Sequence, residues 1–284
     1  MKHAYLIIAH NEFKVLEQLL IALDDNRNDI YIHIDKKVKE IPLLITQHAK
    51  LMILDHRLDV RWGHYSQIEC EYALFEEAYY SNNKYDRYHL ISGTHLPLKN
   101  QDQMHAIFDS LANKEILRFM DTDVNEIDMK LRRYHFFLRN FKNKNKKIER
   151  FNQFLWHLLL KLQSIFNIKK QGFQVTIKAN NWISLTHQAV LLILNNKATI
   201  LQKMRWTFCA DEFFIPLLLQ KNSNNFEMIN YPNLLFNEFE NSNPRILTIA
   251  DYNFLIHSDY LFARKFSEQD FEIVTRIVQL TKVN

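Results

Sequence analysis

Glycine is nearly absent: the 284 residues hold three, at Gly63, Gly93 and Gly172. A phosphate loop of the Walker or Rossmann kind needs several glycines within a few residues, so that backbone amides can approach a pyrophosphate. These three stand too far apart to build one. A nucleotide, if bound, must be held by side chains. Cysteine is scarcer still, with Cys70 and Cys209 alone, and neither has the CxxC or paired-histidine spacing of a structural zinc site. Such low usage suits a reducing compartment, and the expected location is cytoplasmic. No run of about 18 apolar residues offers a membrane span. The apolar opening Tyr5-Leu6-Ile7-Ile8-Ala9 meets Asn11 and Glu12 too early to be a secretion signal.

What is present is ordinary in bulk and uneven in detail. A hydrophobic fraction of 47% and a charged fraction of 24% describe a globular chain with a full core. The formal charge of +4 conceals a division: Lys130 to Lys170 holds twelve Lys/Arg and the single acid Glu149, a net +11, so the remainder sums to −7. That stretch calls for an anionic partner, although a charge count does not distinguish nucleic acid, phosphoglycan and lipid head group.

Short β-rich runs alternate with helical patterns along the first half. Strands are expected at Tyr5–Ala9, Ile30–Ile34, Leu51–Leu54 and Tyr88–Ile91, and helices at Leu16–Leu23, Ser66–Tyr80 and Gln103–Leu111. This order predicts βαβ units, hence an α/β fold with a mostly parallel sheet flanked by helices and ligands at the carboxyl ends of its strands. A strand is also expected at Ile116–Phe119. Asn140–Arg150 reads as an interruption and Phe151–Ile168 as an inserted basic amphipathic helix, with Phe154, Leu158, Leu162 and Phe166 on one stripe. Beyond it come a strand at Trp182–Leu185, helices at Gln188–Leu194 and Asp211–Leu219, and Asn-rich loops at Asn222–Asn225 and Asn237–Asn243. The chain is expected to be one domain over 1–284, its nucleotide-binding half spanning about 1–120 and its acceptor and catalytic half about 121–284.

Four places put polar side chains where such a sheet would hold a ligand. Ala9-His10-Asn11 follows the first strand. Asp35 ends the second, where an acid commonly meets a ribose hydroxyl or simply caps a loop. Trp62 precedes Gly63 and a helix that Ser66 is placed to cap; it is either a base-stacking ring or a half-buried core residue. Asp211 and Glu212 open an apolar helix, as N-cap and first-turn acid or as catalytic carboxylates. Arg245 and the run Leu261-Phe262-Ala263-Arg264-Lys265-Phe266 add cations among apolar residues, at least one of which needs an anion.

These segments, taken in order, resemble the core-2/I-branching enzyme family, which includes β-1,6-N-acetylglucosaminyltransferases and peptide O-xylosyltransferases, here of bacterial type. The segments that carry the resemblance are Ala4–His10, Tyr31–Lys37, Val60–Ser66, Tyr88–Lys99, Ala210–Phe214 and Leu261–Phe266. The resemblance implies a GT-A fold and transfer of a sugar from a UDP-sugar to a glycan or glycolipid hydroxyl with inversion. GlcNAc is favoured and xylose is the other donor sugar, in surface polysaccharide or lipopolysaccharide synthesis. It implies Glu212 as catalytic base, and UDP contacts from Ala9, His10, Asn11, Asp35 and Trp62. It also implies a basic pair, Arg245 and Lys265, that neutralises the diphosphate in place of a metal, so no cofactor is expected. His95, Arg133, Tyr134, Trp182 and Asp211 are assigned to the acceptor or donor sugar. His95 departs from the family, whose Ser-Gly-x-Asp-Leu-Pro-Leu segment carries an acid at that position.

The alternative is a non-catalytic glycan- or nucleic-acid-binding α/β protein. The basic stretch has no RNP, KH or helix-turn-helix pattern, and no nucleic-acid partner is expected. Glycoside hydrolysis needs two opposed carboxylates, whereas Asp211 and Glu212 are neighbours whose side chains diverge. Asp121 and Asp123 form the one Asp-x-Asp pair and are expected to line an acceptor loop or to be solvated. A peripheral contact between the basic helix and an anionic membrane is also expected.

Overall fold

The computed structural model of the chain describes residues 1–172, 177–240 and 243–282. Strands β1 (His3–Ala9), β2 (Asn28–Ile34), β3 (Lys50–Ile53) and β4 (Arg87–Ser92) come first, with β5 (Leu96–Pro97) just beyond. Next are β6 (Lys114–Leu117), β7 (Phe119–Met120), β8 (Lys178–Ala179), β9 (Ile183–Thr186) and β10 (Glu227–Asn230). The short strands β11 (Leu235–Phe236), β12 (Phe239–Glu240), β13 (Asn243–Pro244) and β14 (Phe262–Ala263) complete the set. The helices are α1 (Phe13–Leu23), α2 (Ser66–Tyr79), α3 (Gln101–Ser110), α4 (Val124–Arg132), α5 (Lys146–Ile165), α6 (His187–Asn195), α7 (Lys197–Met204), α8 (Phe214–Lys221), α9 (Tyr252–Ile256) and α10 (Phe271–Lys282).

Seven strands form the main sheet in the order β10-β6-β9-β4-β1-β2-β3. All its pairings are parallel except those of β9, which runs antiparallel to both β4 and β6. Alternation along β1 sends Ala4 and Leu6 to one face and Tyr5, Ile7 and Ala9 to the other, so each face receives its own core. On the first face α2, α6 and α8 bring Phe75, Val190 and Phe214. On the second, α1, α3 and α10 bring Leu19, Phe108 and Ile277. Because both faces are covered, β1, β2 and β4 are buried almost throughout, including the polar Asn28, Asp29, Arg87 and His89.

The expected strands and helices of the first half stand with small shifts at their ends. Four local expectations change. Asp211 does not cap a helix: residues Ala210–Glu212 form a 3-10 turn behind Cys209, whose φ is 50°, and the α-helix begins at Phe214. Pro216 has no N–H to donate to the carbonyl of Glu212, so the α-helical register cannot extend back through the two acids. Ser66 does not cap α2 either, since its hydroxyl accepts the Arg61 N–H at 2.9 Å. The interruption expected over Asn140–Arg150 ends early, because the Asn145 side chain accepts the Lys147 N–H at 3.0 Å and starts α5 at Lys146. In the Asn237–Asn243 region β12 pairs antiparallel with β13, while residues 241 and 242 of the expected loop lie outside the described residues.

Candidate active site

The carboxyl ends of β1, β2 and β4 converge. The Asp35 amide donates to the Ala9 carbonyl at 2.9 Å, and the Gly93 amide donates to that of Ile8 at 3.0 Å. A Cβ on Gly93 would sit 3.1 Å from the Ala9 side chain, so a side chain there would push these ends apart. Asp35 is buried and accepts from both the backbone amide of Lys37, at 2.8 Å, and its ammonium, at 2.7 Å. His10 stands beside this group: desolvation depresses its pKa, Asp35 opposes the shift, and Lys265, Lys37 and Arg264 add to it. Asn11 leaves its Oδ1 buried without a partner. Ala9, His10, Asn11, Asp35 and Lys265 are thereby gathered from opposite ends of the sequence.

Gly63 adopts φ +70°, and an added Cβ would meet the Phe208 ring at 2.6 Å, so both the backbone and the packing demand glycine. This turn sets Trp62 beside the inserted segment. The indole stacks on Phe141 with centroids 5.8 Å apart, meets Phe208 edge-on at 5.4 Å, and has the Lys142 ammonium 4.0 Å over its ring.

Glu212 lies beyond the end of β6, where β7 pairs with β8 and aims Lys178 at it. Its Oε2 accepts from Lys130 at 2.8 Å and lies 3.6 Å from the Lys178 ammonium, while both lysines also hold Glu126, at 2.9 and 2.6 Å. Burial raises the Glu126 pKa, but hydrogen bonds from Lys130, Lys178 and Thr122 outweigh it and bring it to about 2. Both lysine contacts of Glu212 fall on Oε2, which leaves Oε1 to accept a proton. Asp211 turns the other way into the protein, where Gln67 of α2 donates to its Oδ2 at 2.8 Å. Burial and then the charge of Glu212 raise its pKa, and burial and then the charge of Asp211 raise that of Glu71.

A third group joins His95, Trp182 and Arg264. The His95 ring meets Trp182 edge-on at 5.0 Å, and the Arg264 guanidinium lies 5.1 Å over the same indole. Burial, reinforced by Arg264, drives the pKa of His95 far down, so the ring is neutral. The Ser92 amide donates to its Nδ1 at 3.1 Å, which places the proton on a buried Nε2 that has no partner. Burial also pulls Arg264 down to about 10, and no carboxylate pairs with it among the described residues.

Arg245 is held by carboxylates on two sides, bidentately by Asp251 at 2.8 and 3.0 Å and by Glu238 at 2.6 Å. Lys265 is its backbone neighbour: the Lys265 N–H approaches the Arg245 carbonyl at 3.4 Å, and the Leu247 amide donates to the Lys265 carbonyl at 2.9 Å. Arg133 and Tyr134 brace the inserted segment. Arg133 donates to the carbonyls of Gln163 and Ile168 at 3.0 and 2.8 Å, and the Tyr134 amide donates to the Gln163 side chain at 2.7 Å. Asp123 caps α4 by accepting the Glu126 amide at 2.7 Å, and Asp121 is exposed.

Reasoning from the sequence missed Lys130, Lys178, Gln67 and Glu71 around the acids, for which no local signal exists. It did place Arg264 among the cations of which at least one needs an anion, without giving it a role.

The sequence matches the family model of the Core-2/I-Branching enzyme over residues 3–246, a span that includes Glu212 and Arg245 and stops before Lys265. No curated protein matches the chain significantly. Among solved structures it is similar to mouse xyloside xylosyltransferase 1 in its apo form, at 8% identity over 92% of this chain and 96% of that one, with a TM-score of 0.38. That likeness is too distant to bear on substrate. A family model spanning most of the residues, over a mostly parallel sheet whose strand ends gather the family's motifs, decides the assignment: the chain belongs to the Core-2/I-Branching enzyme family and is a glycosyltransferase.

Proposed function

We propose that the protein transfers a sugar, GlcNAc in preference to xylose, from a UDP-sugar to a hydroxyl of a glycan or glycolipid acceptor. Transfer inverts the anomeric centre, and the acceptors are those of surface polysaccharide or lipopolysaccharide synthesis. The observation that carries this reading is the two-sided Glu212 carboxylate, one oxygen fixed by lysines and the other open. A sugar hydroxyl is a poor nucleophile, so a carboxylate must accept its proton while the bond to the anomeric carbon forms. Oε2 is held by Lys130 and stays in place; Oε1 takes the proton.

Uridine rests on Ala9, His10, Asn11 and Asp35, with Trp62 as the stacking surface. The departing UDP gains negative charge in the transition state, and fixed cations that meet that charge lower the barrier. Lys265 and the unmatched Arg264 fill this role without a metal, and Arg245 reaches a phosphate only by sharing its guanidinium with Asp251. Trp182 borders the sugars, while the buried His95 and Asp211 act from behind the site and Arg133 and Tyr134 brace the inserted segment beside it. A panel of UDP-sugars, read as UDP release with and without acceptor glycans, tests this reading. Release from UDP-GlcNAc above all others supports it, and release from none of them at any enzyme concentration sinks it.

A further inference from the structure

The inserted helix α5 turns Asn152, Trp156 and Gln163 to the protein and leaves a long apolar row facing the surroundings. Asn152, Trp156 and Gln163 are its buried residues. Each is fastened by a polar contact: Asn152 bonds back to the Ile148 carbonyl at 2.8 Å, and the Trp156 indole donates to His135 Nδ1 at 2.9 Å. The Gln163 amide brackets the backbone of Tyr134 at 2.7 and 2.8 Å. The stripe that sequence periodicity would assign to a core points outward instead. Phe151, Phe154, Leu158, Leu162, Ile165 and Phe166 recur at helical spacing, and all are exposed, from 39% at Leu162 to 70% at Phe166. A continuous apolar row of this length marks an interaction surface.

Its flank is cationic. Lys147, Arg150 and Lys161 lie beside the row, with Lys144 just before the helix, and none of the four has a carboxylate partner among the described residues. The one acid nearby, Glu149, is already taken by the Lys146 ammonium at 3.0 Å and the Asn143 amide at 2.8 Å. A second copy of the chain seated on this face would set each cationic flank against its twin with no acid to answer it. The complement of this face is a surface that is apolar within and anionic at its rim. Among the described residues no helix is long and apolar enough to cross a membrane, so the contact is a helix lying along a bilayer, not through it.

We propose that α5 attaches the protein to anionic phospholipid bilayers, with Phe151, Phe154 and Leu158 among the acyl chains and Lys147, Arg150 and Lys161 against the phosphates. This attachment stands apart from the transfer reaction and does not depend on the donor or acceptor.

Co-sedimentation of the full chain with vesicles of phosphatidylcholine alone, or with one quarter phosphatidylglycerol, tests it at 50 to 500 mM NaCl. Binding is expected to be at least tenfold stronger to the anionic vesicles and to fall steeply with salt. The triple variant F151S/F154S/L158S is expected to abolish it and K147E/R150E/K161E to weaken it by a similar factor. All six positions are exposed, so both proteins should melt as the parent does. Equal recovery in the supernatant with both vesicle types at low salt overturns the proposal. So does a dimer of the parent in sedimentation velocity that F151S/F154S/L158S dissolves, since a second copy would then cover the face.

Discussion

Lys130 and Glu212, 82 residues apart in sequence, are joined at 2.8 Å through Oε2 of the carboxylate. If this contact holds the base in position and Oε1 does the chemistry, Glu212→Gln keeps the fold and UDP affinity while turnover falls by about two orders of magnitude or more. Turnover and UDP affinity measured on the same preparation check this. Wild-type turnover in a well-folded variant removes Glu212 from the reaction.

Charge on the leaving group makes a second prediction. Activity should persist in EDTA, and Lys265→Ala or Arg264→Gln should each weaken UDP binding and lower kcat, by roughly tenfold or more, with no rescue by manganese. Arg245→Gln should act more on stability than on UDP affinity, because it strips Asp251 of its bidentate partner. Isothermal titration with UDP, beside thermal melts, separates the two effects. Loss of wild-type activity on chelation, restored by a divalent ion, contradicts the metal-free reading.

The buried acids make stability depend on pH. A carboxyl whose pKa is raised by folding costs nothing while protonated in both states, below about pH 4. It then costs progressively more as pH climbs from its unfolded value to its folded value, by at most about 1.4 kcal/mol per pH unit per group. Asp211 and Glu71 are both of this kind. Asp211→Asn should therefore gain in Tm relative to the parent as pH rises from 4.5 to 7.5. Melting curves across that range check it, and a difference that shrinks with pH would falsify the assignment.

Gly63→Ala should destabilise the protein by about 2 to 4 kcal/mol, from the left-handed backbone together with the overlap on Phe208. Phe208→Leu in the same chain relieves the overlap alone, and recovery of part of the loss in the double variant is the expected result in urea titrations.

The sheet was largely legible because the apolar centres of its parallel strands stand out as β-rich runs, and the rule that ligands gather at the carboxyl ends of such strands marks the residues just after them. Ala9, Asp35 and Gly93 follow from that rule. Lys130 and Lys178 do not: a lysine on an amphipathic helix and one beside a two-residue strand carry no mark of the carboxylate they will meet, since only long-range folding unites them. Local spacing favours Asp211 as a cap over the other roles open to it, but Pro216, five positions later, withholds the backbone donor that a helix through it would need. The stripe on α5 was visible as a period, but periodicity does not say which side of a helix faces in. Trp156 and Gln163 settle that by finding polar partners on the body of the protein, His135 and Tyr134.

The second core gathers residues from β1, α1 and β2 together with Leu234, Phe262, Ile273 and Ile277, and α10 packs against α1. During synthesis on the ribosome, β1, α1 and β2 therefore emerge well before the last helix of their core, since α10 begins some two hundred and forty residues after β2 begins. The nascent first half lacks the last helix of its own core. Until that helix arrives, the side of α1 that packs against it stays open, and expression of the isolated first half is expected to favour aggregation.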